Sequence, residues 1–147
     1  RTCRLPARQR EAIMAVTPEE TIKAAALAYI AGDEDGLYQL LDDGVRVLGS
    51  EQRDNWDGRD HVLQRMNSEL TRRRTLTNSV SGSLIEAVDA LESVDQQAGL
   101  AWWSGTGDLD VDGAYHREAS WTVVLRRWGE EDDSEWRIVH SHFSIHR

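Results

Sequence analysis

A helical first half followed by long alternating strands predicts an α+β domain. Apolar residues recur at helical spacing in three stretches before residue 74. From residue 76 the pattern changes to period-two alternation, and clusters of Gly and Asp separate the alternating stretches. Helices first and strands afterwards is an α+β order, unlike the repeated strand–helix–strand order of a parallel sheet. A chain of 147 residues suits one hydrophobic core.

The elements follow in order. Residues 1–13 carry four Arg and one Glu with no periodicity and no apolar stretch of the secretory type. They are expected to be an upstream extension or a cloning remnant, with residues 14–147 forming a single domain. Thr17, Pro18 and Glu20 read as a helix start: a capping hydroxyl, a first-turn proline and the acidic end of a capping box. Ile22, Ala25, Ala26, Tyr29 and Ile30 then share one face, and Gly32 ends the helix. A short second helix carries Leu37, Leu40 and Leu41 and stops near Gly44. Residues 45–49 alternate as a strand. Residues 58–73 form a third helix, with Val62, Leu63, Met66 and Leu70 on one side. Strands are expected over residues 76–88, 98–104, 115–128 and 136–145, with turns over residues 105–113 and 129–133.

Charge and composition exclude several classes. Seventeen basic and 26 acidic side chains give a formal charge of −9; removing four Arg and one Glu with residues 1–13 makes it −12. That sign disfavours nucleic acid and anionic membrane as partners. No apolar run reaches the ~20 residues that span a bilayer. The one cysteine, Cys3, rules out an internal disulfide, which fits a cytoplasmic location. Six Trp stand beside one Phe, and five of the Trp and four of the five His fall after residue 101.

Two motifs suggest metals and have simpler readings. Asp108, Asp110, Asp112 and Gly113 open like a calcium loop, but the twelfth position is Ala119 and strands flank it; a hairpin turn explains the same residues. His140 and His142 share one strand face and could begin a zinc site, yet no local third ligand accompanies them. No metal and no cofactor are expected. Arg72, Arg73 and Arg74 suit the carbonyl end of a helix. No nucleophile elbow, phosphate loop or Cys–His pair is present.

Three segments in this order resemble the SnoaL-like branch of the nuclear transport factor 2-like (ketosteroid isomerase-like) superfamily. They are Val45, Arg46, Val47, Leu48 and Gly49 followed by Trp56, Asp57 and Gly58; then Trp121 to Arg127; then Trp136 to Ser144, with the run Val139, His140, Ser141, His142, Phe143. The resemblance spans residues 17–145. It implies a cone, with helices packed into a strongly curved antiparallel sheet, a pocket at the open end, and a homodimer through the convex sheet face. Family catalytic residues transfer poorly. Tyr29 lies where an isomerase phenol could come from, but no strand Asp matches its partners. The arginines that line the pocket of kinase association domains correspond to Thr122 and Phe143.

The expected function is binding of a small apolar molecule, with acid–base isomerase, cyclase or hydrolase chemistry as one version. A non-catalytic dimerisation or ligand-sensing module is the other. For catalysis, His140 and His142 are the natural proton carriers because imidazole titrates near ~6.5, with Glu118 to assist. Tyr29, Glu51, Trp56, Trp102 and Trp121 are the candidate ligand-binding residues. Everything turns on the facing of the last strand: if Ser141 and Phe143 point into the pocket, both histidines point away.

Overall fold

The computed structural model describes residues 17–49, 55–72, 88–111, 115–129 and 135–146. Helix α1 (Pro18–Ala31) begins and ends as its sequence dictates. The Thr17 hydroxyl accepts from the Glu20 N–H at 3.1 Å, and Gly32 closes the helix at φ 69°, its N–H turned to the Ala28 and Tyr29 carbonyls. Its inner face includes Thr21, Ile22, Ala25 and Ala26, all buried. Thr21 is fully buried; its hydroxyl donates between the carbonyls of Thr17 (3.1 Å) and Trp136 (3.3 Å), joining the helix to the last strand.

Helix α2 (Glu34–Leu40) is capped by Asp33, whose carboxylate accepts from the Gly36 N–H at 3.0 Å. It is shorter than the sequence predicts. Leu41 turns extended (φ −103°, ψ 140°) and pairs with Ile138, so strand β1 (Leu41–Leu48) starts where more helix was expected. Strand β2 (Trp56–Asp57) pairs back on β1, and helix α3 (Arg59–Arg72) follows at once. Gly58, at φ 92°, makes the turn and donates to the Val45 carbonyl at 2.8 Å. Arg59 binds α2, β1 and α3 together. It sits 2.6 Å from both the Asp43 carboxylate and the Tyr38 hydroxyl, and stacks 3.6 Å over the Tyr38 ring.

Strands β3 (Asp95–Gln97), β4 (Leu100–Val111), β5 (Tyr115–Trp128) and β6 (Glu135–His146) complete a sheet of order β2-β1-β6-β5-β4-β3. Ala98 and Gly99, both at positive φ (51° and 81°), form the two-residue turn between β3 and β4. The expected strand over residues 76–88 lies outside the described residues except for Val88, which opens a helical turn. Of the expected turn over residues 105–113, residues 105–111 are strand, and Asp112 and Gly113 lie outside the described residues. Gly105 pairs with Trp121 and Asp108 with Glu118, so a ladder of twelve partners overrides the local turn preference of Gly and Asp. Asp108 and Asp110 therefore belong to a hairpin, not to a calcium loop.

The sheet is mixed instead of wholly antiparallel, because β6 inserts beside β1 and runs parallel to it. Parallel neighbours need a long connection, and the chain from β1 to β6 passes through the whole remaining domain. Register shifts interrupt β1 between Leu41 and Arg46, and the β5–β6 pair between Val124 and Leu125. Such bulges bend a strand and increase its local twist. The core lies between the helices and one sheet face, where Ile22, Met66, Val45, Val123 and Leu125 are all fully buried. Among the described residues no helix is long and apolar enough to cross a membrane.

Candidate functional site

Register partners share a sheet face, so pairing alone places the side chains. Trp56 pairs with Val47, Val47 with Ser141, Ser141 with Val123 and Val123 with Trp103. One row thus crosses five strands on the helix-covered, concave face. The next row is Phe143, Trp121 and Gly105.

Coverage thins along this face. Leu41, Ile138, Leu125 and Ala101 are 4%, 2%, 0% and 0% exposed, sealed by the helices. One row on, Val123 and Trp56 stay buried while Val47, Ser141 and Trp103 are only half-buried, as are Trp121 and Phe143 beyond them. The concave face therefore closes at one end and opens at the other, and aromatic rings stand at the opening.

Those rings hold one another. Trp103 and Trp121 meet edge to face, with centroids 5.5 Å apart and planes at 84°. Trp103 lies across Gly105, where a Cβ would come within 2.4 Å of its ring. The Trp121 Nε1–H donates to Ser141 Oγ at 2.7 Å, fixing both side chains. Trp56, on β2, is 8% exposed, and its buried Nε1–H has no acceptor among the described residues.

The opposite, convex face holds the histidines. Arg46, His140, Val124 and Trp102 form one row there, and Leu48, His142, Thr122 and Ser104 the next. His140 is half-buried, and its pKa lies below the ordinary imidazole value, mainly through desolvation and then through the charges of His142 and Arg46. His140 and His142, expected as proton carriers, stand on the far side of the sheet from Trp103 and Trp121. The cause is a bulge. Leu125 pairs with Ile138 but Val124 pairs with His140, leaving Val139 unpaired and reversing the facing of every later residue.

Glu118 is also convex and exposed. It lies opposite Asp108 and His146, six residues along β5 from the partner of His140, a span of about 20 Å. The structure does not bring Glu118 together with His140 and His142. Trp102 points outward at 40% exposure, and its neighbour Trp103 takes the inward place assigned to it. Trp56 and Trp121 do share the concave face, and Tyr29 packs half-buried on the core from α1. Glu51 lies outside the described residues. Ser141 and Trp103 were missing from the expected site. Alternation within β4 does not separate Trp103 from Trp102, since Leu100 and Trp102 share the outer face; the pairing of Trp103 with the buried Val123 does. Among the described residues no three His, Cys, Asp or Glu side chains gather as metal ligands.

Comparison with known proteins matches the SnoaL-like domain over residues 19–147. The chain belongs to the SnoaL-like family. No curated protein matches this SnoaL-like domain. Solved structures share its fold. An NTF2-like protein with a cystatin-like fold from Novosphingobium aromaticivorans is 15% identical, with TM-score 0.61 over 95% of this chain and 86% of that one. A ketosteroid isomerase-like protein from Erwinia carotovora atroseptica is 15% identical, with TM-score 0.59 over 95% and 98%. A putative calcium/calmodulin-dependent protein kinase type II association domain from Thiobacillus denitrificans is 19% identical, with TM-score 0.59 over 89% and 96%. At these identities the likeness is one of fold.

Proposed function

We propose that this SnoaL-like domain binds a small, largely apolar molecule on the concave face, between Trp56, Trp103 and Trp121. The observation that carries the reading is the edge-locked Trp103–Trp121 pair, which faces the helices yet stays half-buried. Rings held open to water recover roughly 25 cal/mol for each Å² that a ligand covers. Binding is favoured over acid–base chemistry because the sheet side chains around the pair are apolar, apart from Ser141 and the indole N–H groups. None of them titrates near neutrality. The test is displacement of anilinonaphthalene sulfonate by neutral polycyclic compounds, followed by intrinsic Trp fluorescence. Displacement that Trp103→Ala weakens supports the reading. If the dye does not bind, or binds equally to the variant, it is wrong.

We further propose a cytoplasmic homodimer joined through the convex face. Leu100, Trp102 and Trp128 stay 44%, 40% and 39% exposed there. Trp128 lies beneath the guanidinium groups of Arg126 and Arg137 at 4.6 and 5.1 Å. Trp and Arg are the side chains that most often anchor protein interfaces. Light scattering on a sizing column is expected to report a dimer, and Trp102→Glu a monomer. A monomeric parent protein rules the proposal out.

A further inference from the structure

In the rows that open the concave face, Ser141 is the only polar side chain besides the indoles. Its oxygen accepts the Trp121 Nε1–H at 2.7 Å. A serine hydroxyl has one hydrogen to give, and that of Ser141 has no acceptor among the described residues. Since Trp121 occupies one lone pair, the O–H is directed away from the indole, and the accepted bond polarises it as a donor. The residue is half-buried, so the group is neither lost in the core nor freely solvated. A second donor in the same row, Trp56 Nε1–H, is buried and also without an acceptor among the described residues, two strands away at about 10 Å between Cα atoms. Neither a carboxylate nor a cation stands in these two rows among the described residues.

We infer that Ser141 is a specificity-determining hydrogen-bond donor, held in aim by Trp121, for a neutral aromatic ligand carrying an oxygen acceptor. The inference rests on the binding site proposed above and adds the chemistry of its occupant. Rows that present a hydroxyl donor and no charge select against cations, which find no partner there, and against plain hydrocarbons, which leave the hydroxyl unpaired. Trp121 acts as a positioning residue: its ring supplies wall, and its N–H sets where the hydroxyl points.

The test compares two planar tricyclic probes of nearly equal size, 9-fluorenone and fluorene, which differ by one carbonyl oxygen. Binding is read by displacement of anilinonaphthalene sulfonate from the full chain. One added neutral hydrogen bond predicts that fluorenone binds about fivefold to tenfold more tightly than fluorene. Ser141→Ala is expected to abolish that ratio, whatever it does to fluorene affinity through the freed Trp121 ring. Trp121→Phe keeps an aromatic ring but loses the N–H, and is expected to shrink the ratio about threefold or more, a change that loss of wall area alone does not produce. Circular dichroism and thermal melting confirm that each variant folds. Equal binding of the two probes to the parent protein overturns this inference and leaves the apolar site standing. A preference that survives in Ser141→Ala overturns it as well. Failure of both probes to bind overturns the inference together with the site.

Discussion

Gly105→Ala tests whether the aromatic wall is locked as described. The glycine sits mid-strand without positive φ, so alanine can adopt its backbone. On backbone entropy alone, Gly→Ala at a compatible position stabilises by about 0.4–1 kcal/mol. Sterics oppose this. The new methyl would lie 2.4 and 2.5 Å from two ring carbons of Trp103. Trp103 cannot simply swing aside, because Trp121 meets it edge-on at 5.5 Å and is itself tethered to Ser141. Overpacking costs about 1–3 kcal/mol, and a lost edge-to-face contact about 0.5–1.5 kcal/mol. The net expectation is destabilisation by about 1–2 kcal/mol. Urea unfolding of Gly105→Ala, Trp103→Leu and the double variant measures it. In the Trp103→Leu background the alanine is expected to be neutral or stabilising, giving a coupling of at least about 1 kcal/mol. A neutral Gly105→Ala, or one equally costly in both backgrounds, refutes the locked pair.

Three other outcomes are expected. Thr21→Val removes a buried hydroxyl at nearly constant volume and leaves the Trp136 carbonyl without its donor; thermal unfolding should report a loss of about 1–2 kcal/mol. Trp56→Phe deletes a buried N–H that has no acceptor among the described residues. The relief offsets the smaller ring, so the cost should stay below about 1 kcal/mol, against about 3–5 for Trp56→Ala. His140 is held below the ordinary imidazole pKa by desolvation and by the charges of His142 and Arg46. Its neutral form is thus favoured on folding: stability is full above the unfolded pKa near ~6.5 and falls as pH drops through the lower folded value. A flatter stability–pH profile in His140→Gln is the check, and an unchanged slope contradicts it.

The layout of this domain is readable from its sequence because local rules decide it. Thr17, Pro18 and Gly32 bound α1 as capping chemistry requires, and β5 occupies the expected Tyr115–Trp128 without change. The facing of β5 is equally plain: Ala119, Trp121, Val123 and Leu125 alternate with Glu118, Ser120, Thr122 and Val124. Non-local pairing hid the rest. Counting by twos from the buried Trp136 and Ile138 puts His140 and His142 inside, and only the unpaired Val139 reverses that count. A bulge follows from how two strands settle against each other, so no pattern within β6 announces it. The parallel docking of β6 on β1 is likewise a property of the assembled sheet.

That docking also sets an order of events during synthesis. β6 lies between β1 and β5, and it leaves the ribosome after both. Until it arrives, the β1–β2 pair and the β3–β4–β5 meander share no strand border, and Thr21 lacks its Trp136 acceptor. The two halves can form local structure yet cannot seal a common core, and closure must wait for contacts separated by about a hundred residues. Nascent chains halted before residue 135 should therefore remain open to protease and chaperone. Folding of this domain is a late, single commitment made by its central strand.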